Sequence, residues 1–210
     1  MDNKITELVF IVDKSGSMAG LEEDTIGGFN SMLRKQKKLS GIALVSTYFF
    51  NHQVYKIHQR QEIVSVNPIT NELYHVGGMT ALIDAIGTAI DEVNSYQKSG
   101  ARKGTKFKTV FAIITDGLEN ASEEYTAPKV KQMVTSMEKE FGWEFIFLGA
   151  NIDSVETAAN FGIRKDRAVD YVNDDEGVEL NYAVISEVIT NIRKEGKIKD
   201  SWAEDIKNRK

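Results

Sequence analysis

The sequence predicts an α/β fold: a doubly wound, mostly parallel six-stranded sheet with one antiparallel edge strand and helices on both faces. Three observations predict it. Nearly uncharged apolar runs, such as Leu8 to Val12 and Val110 to Ile114, read as strands buried on both sides. After a single hairpin, such runs alternate with amphipathic stretches of helical period, the pattern of parallel strands joined by helices. The length, 210 residues with 41% hydrophobic, suffices for one domain with a sizeable core. A single domain over 1–210 is expected, with its core at about 7–194 and a charged tail over 196–210 that frays beyond one docking contact at Trp202.

The first strand runs into the small polar residues Asp13-Lys14-Ser15-Gly16-Ser17-Met18. Glu22 to Lys38 is then helical, with Ile26, Phe29 and Leu33 on one stripe and Lys and Gln opposite. Gly41 to Phe50 and Val54 to Gln59 are strands separated only by Asn51-His52-Gln53, which makes a hairpin with an antiparallel edge strand. Pro68 to Val76 is a connecting loop. The helix from Ala81 buries Leu82, Ile86, Ala89 and Val93, and a basic loop over 100–104 with Arg102 and Lys103 follows it.

Lys108 to Asp116 is the next strand. Pro128 suits the first turn of a helix that carries Val130, Met133, Val134, Met137 and Phe141 inward. Trp143 to Ala150 is a strand, Val155 to Asn160 a short helix, and Ala168 to Val172 a weak strand. Asp174 and Asp175 cap a last long helix over 176–194, with Val178, Tyr182, Ile185, Ile189 and Ile192 inward.

The chemistry gathers at strand ends. Asp13, Ser15 and Ser17 alternate on a loop, so three oxygen-bearing side chains can face one point. Asp116-Gly117 ends another apolar strand, and Gly77-Gly78-Met79-Thr80 precedes a helix. Carboxylate and hydroxyl oxygens, without thiol or imidazole, are the donor set of a hard divalent cation such as Mg²⁺, with Mn²⁺ or Ca²⁺ as alternatives. In an open parallel sheet, ligands collect outside the carboxyl ends of strands where strand order reverses.

In this order and context, Asp13-x-Ser15-x-Ser17, Thr80 after paired glycines, and Asp116-Gly117 resemble the metal-ion-dependent adhesion site of von Willebrand factor type A domains, over roughly Glu7 to Val172. The compact form is similar to stand-alone bacterial and phage members, including tellurite-resistance-associated ones. The resemblance implies a Rossmann-like strand order 3-2-1-4-5-6. It also implies metal ligation by Asp13, Ser15, Ser17, Thr80 and Asp116, directly or through water, with an Asp or Glu of a partner protein completing the shell. The function then expected is metal-dependent protein binding in assembly or regulation, not catalysis.

Glu119, Asn120, Asn151 and Asp153 follow strands that point the same way, so they are candidates for a partner-binding rim, in competition with turn chemistry and helix capping. Met18, with Ala19 and Leu21, is a candidate apolar fringe. Asp84 either bonds a loop or answers the helix dipole. His52, His58 and His75 have no ligand spacing and read as solvated.

Other classes are disfavoured. A net charge of −5 gives no footprint for nucleic acid. No run approaches the roughly 20 apolar residues that span a bilayer. With no cysteine and no leader-like start, a cytoplasmic location is expected. Two further readings stay open: a Mg²⁺-dependent phosphoryl-transfer or hydrolytic enzyme, and a metal-independent scaffold. Against the enzyme, Ser15 stands where a haloacid-dehalogenase-type phosphatase needs a second aspartate, and neither a P-loop nor a Gly-x-Ser-x-Gly elbow occurs. The oligomeric state is not legible.

Overall fold

The structure, a computed structural model, describes residues 4–100 and 105–209. Six strands form one sheet in the order β3-β2-β1-β4-β5-β6: β1 (Lys4–Asp13), β2 (Ala43–Phe50), β3 (Val54–Glu62), β4 (Lys106–Asp116), β5 (Glu144–Ala150) and β6 (Ala168–Asp170). All neighbours pair in parallel except β2 with β3, which are antiparallel, so β3 is the antiparallel edge strand. The predicted architecture is the observed one.

Alternation along the strands divides the core. Leu8, Phe10 and Val12 join the apolar cluster under α1 (Glu22–Lys37), α5 (Asp175–Glu195) and α6 (Glu204–Asn208). Val9 and Ile11 join the opposite cluster, under α2 (Leu82–Gly100), α3 (Ala127–Phe141) and α4 (Ser154–Asn160). Strands buried on both faces need apolar residues at every position, which is why Leu8–Val12 carries no polar side chain. Among the described residues, no helix is long and apolar enough to cross a membrane.

Several expectations need correction. Phe141 ends α3 at 45% exposure; the helix stops there at the left-handed Gly142, one turn beyond the buried stripe. Gln36, expected on the solvent side of α1, is buried and its amide bonds Ser186 O and Thr190 Oγ1 on α5. His58 is buried too: its Nδ1 lies 3.0 Å from Thr47 Oγ1 and its ring stacks on Phe29. A register shift in the β2–β3 pairing at Thr47 accompanies that inward placement. His52 and His75 are exposed, as expected.

The described tail does not fray. Ile198, Trp202, Ala203 and Ile206 are buried in the core, Trp202 Nε1 donates to Asp166 O, and Arg209 pairs with Asp174 and Glu176. Of the basic loop expected over 100–104, Gly100 ends α2 and residues 101–104 lie outside the described residues.

Candidate metal centre

Chain order and spatial order reverse between β1 and β4, so the carboxyl ends of these two neighbours form the switch-point crevice. Asp13 ends β1 and Asp116 ends β4. Their pairing, with Val12 opposite Ile114, brings Thr115 beside Asp13. Thr115 Oγ1 donates to Asp13 Oδ2 at 2.7 Å, and Asp116 N–H donates to the same oxygen at 3.3 Å. Asp13 Oδ1 accepts from Ser15 N–H at 2.7 Å, which curls the following loop back over the strand end.

That curl places the hydroxyls. Ser15 Oγ and Ser17 Oγ lie 3.2 Å apart, and Ser17 Oγ donates in a short bond to Asp116 O. Gly117, at φ 142°, takes the chain away from the site, and a Cβ there would sit 3.5 Å from Ser17 Oγ. Asp13, Ser15, Ser17 and Asp116 therefore converge, as their order along the chain suggested.

Backbone bonds join the fifth residue to them. Gly77 N–H donates to Lys14 O at 2.8 Å, and Gly16 N–H donates to Gly78 O at 3.1 Å. Gly78 adopts φ 83°, and a Cβ there would collide with His52 Nδ1 at 2.5 Å, so glycine is needed for this close approach. Thr80 follows, buried, just before α2.

The proposed rim residues divide by what they touch. Asn151 Nδ2 donates to Asp116 Oδ1. Asn120 binds the Thr80 backbone on both sides, accepting from Thr80 N–H and donating to Thr80 O. Glu119 turns inward, accepting from the N–H groups of Ile83, Ala121 and Ser122. Asp153 is the N-cap of α4, accepting from Glu156 N–H at 2.8 Å, so it serves the helix end. Met18 is buried in the core and Leu21 with it, which removes them as a fringe. The exposed apolar side chains flanking the centre are instead Met79 (56%) and Leu118 (65%). Asp84 bonds a loop, taking the N–H groups of Glu123, Glu124 and Tyr125.

Besides Thr115, three contributors from other loops lay outside the sequence reading. Asn173 Nδ2 donates to Asp116 Oδ2 at 2.7 Å; it is held there because the 172–174 turn wraps the start of α5. Gly177 makes that wrap feasible, since a Cβ would meet the Val172 carbonyl. Asn51, at the hairpin tip, fixes the Thr80 loop through Gly77 O and Ala81 N–H. Tyr74 Oη donates to Asp13 O at 2.5 Å. None carries a local signal: each reaches the site from a separate loop.

Burial raises the pKa of Asp13 above the usual carboxylate value, against the lowering pull of its bonds from Ser15, Thr115 and Asp116. Burial also raises that of Asp116; the Asn151 amide opposes the shift and the Asp13 charge adds to it. Among the described residues, every hydrogen bond to the two carboxylates comes from a neutral donor. Two unit charges about 4–8 Å apart at an effective dielectric of about 20 repel by about 2–4 kcal/mol, a cost that a bound cation relieves. The donor set fits such an ion. The two Asp116 carboxylate oxygens and the serine hydroxyls keep a further lone pair, and oxygen-only sites suit Mg²⁺. Among the described residues no group of three His, Cys, Asp or Glu converges on a metal-sized space, so hydroxyls must supply part of any shell.

No protein-family model and no curated protein matches the chain. Solved structures do. Proximal thread matrix protein 1 of the mussel byssus superposes with a TM-score of 0.57 and 13% identity over 87% of this chain and 45% of that one. Another structure of that protein, with a zinc-occupied MIDAS motif, gives 0.58 and 12% over 88% and 45%. The von Willebrand factor type A protein of Catenulispora acidiphila gives 0.58 and 12% over 88% and 42%. This chain spans under half the length of each. At these identities the likeness is one of architecture: the chain has the von Willebrand factor type A-like, doubly wound α/β fold.

Proposed function

We propose that this chain is a divalent-metal-dependent protein-binding module. Asp13, Ser15, Ser17, Thr80 and Asp116 would hold the ion, Mg²⁺ first, and the module would recognise an Asp or Glu of a partner protein. The observation that carries this reading is the pair of buried strand-end carboxylates, bonded among the described residues only by neutral donors and faced by two serine hydroxyls. The ion supplies an electrophilic centre for an incoming carboxylate. The protein's own part is positional: Asn151 and Asn173 orient Asp116, Thr115 orients Asp13, and Asn120 holds the Thr80 backbone. The mussel protein with a zinc-occupied MIDAS motif supports the reading by likeness of fold.

The role proposed is one of assembly or regulation without turnover, in the cytoplasm. Isothermal titration of the whole chain with Mg²⁺ and Mn²⁺ tests the metal. One-site binding that Ser17→Ala abolishes is expected, and no heat from either ion would defeat the proposal. Capture from the native cell, with and without chelator, tests partner binding; complexes indifferent both to chelator and to Asp13→Ala would favour the scaffold reading.

A further inference from the structure

A groove of about 680 Å³ opens beside the centre, between the β2–β3 hairpin and the loop that follows β4. Met79 and Ala81, on either side of Thr80, form part of its wall. Asp84, Glu123 and Glu124 line it as well. The Asp84 carboxylate accepts three backbone N–H groups, from Glu123, Glu124 and Tyr125, so it pins the loop. The Glu123 and Glu124 side chains are exposed, and neither has an ion-pair partner among the described residues. Lys56, which also lines the groove, is held by Glu92. The groove thus combines two uncompensated carboxylates with an apolar stretch from Val54 and Met79.

We propose that this groove receives a basic side chain of the partner, next to the acid that binds at the metal centre. A Lys or Arg is the side chain that fits both halves of the lining. Its aliphatic stem lies along Met79 and Val54 while its charged head meets Glu123 and Glu124. An acidic flanking residue would be repelled there, and an uncharged one would leave the two carboxylates unanswered. The recognised element is therefore an acid–base pair within one short segment. The inference rests on the metal-dependent reading above.

The test is a phage-displayed peptide library with one fixed Glu flanked by randomised positions, panned on the whole chain in Mn²⁺ and eluted with chelator. Lys and Arg are expected to be enriched about fivefold over the input beside the fixed Glu. A Glu123→Lys/Glu124→Lys double variant, checked for folding by circular dichroism, is expected to lose that preference or turn it toward acids. Chelator-sensitive recovery without basic enrichment overturns this inference alone, as does enrichment that survives the charge reversal. Failure to recover any peptide by chelator elution defeats the metal-dependent reading and this inference with it.

Discussion

Thr80 and Asn120 hold each other through two hydrogen bonds. Thr80 N–H donates to Asn120 Oδ1 at 2.8 Å, and Asn120 N–H donates to Thr80 O at 3.0 Å. The loop after β4 thereby sets the height of the loop before α2. Asn120→Ala removes the first bond and leaves Thr80 held by the backbone one alone. Mn²⁺ affinity by isothermal titration should fall about tenfold, or ~1.4 kcal/mol. Asn120→Asp keeps an acceptor and should stay within a few-fold of the parent; equal losses in both variants would contradict the positional role.

Asn173→Asp replaces a donor to Asp116 Oδ2 by a third carboxylate. Without metal the variant should lose about 1–3 kcal/mol in urea unfolding, because a buried acceptor loses its donor and gains a like charge. Saturating Mn²⁺ should restore most of that loss. A deficit that persists with metal would mean that Asn173 serves only the packing of α5.

The raised pKa values of Asp13 and Asp116 fix the sign of a pH effect. Below the ordinary value of 3.8, both groups are protonated folded or unfolded. As pH rises from there through the raised folded values, the folded state keeps protons that the unfolded chain has released, so their contribution to stability falls. Above that window the loss is complete. Mg²⁺ should therefore raise the Tm most at neutral pH, with the gain fading as pH drops through the window. Thermal scans with Mg²⁺ or chelator check this; a metal-induced gain that grows toward acid would contradict it.

Two adjacent glycines in α1 should respond with opposite signs. A Cβ on Gly28 would sit 2.5 Å from Tyr182 Cδ2 on α5, whereas one on Gly27 meets nothing within 4 Å. Gly28→Ala should destabilise by about 1–3 kcal/mol through forced repacking. Gly27→Ala should stabilise by about 0.5–1 kcal/mol, since alanine is the better helix former. Urea unfolding of the two variants reads both signs directly.

Much of this was legible because it is local. Leu8–Val12 and Val110–Ile114 announce strands buried on both faces, and the three-residue Asn51–Gln53 link admits little but a hairpin. The polar residues that end the first and fourth strands, Asp13 and Asp116, stand at the same end of the sheet for the same reason. The short chain after Val172 gave no hint that Asn173 would reach Asp116, because that contact depends on how α5 docks over the sheet.

The amino-acid sequence by itself determined the order of elements, the two-sided burial of the strands and the placing of polar residues at their carboxyl ends. Those follow from hydrophobic period and backbone preference, which act over a few residues. Tertiary structure alone decided that Met18 and His58 would be buried, that Ile198 and Ile206 would join Trp202 in the core, and that Asn51, Asn120, Asn151 and Asn173 would brace the strand-end cluster. Each of those outcomes depends on which surfaces meet after the chain has folded back on itself, and residues far apart in sequence carry no local mark of that meeting.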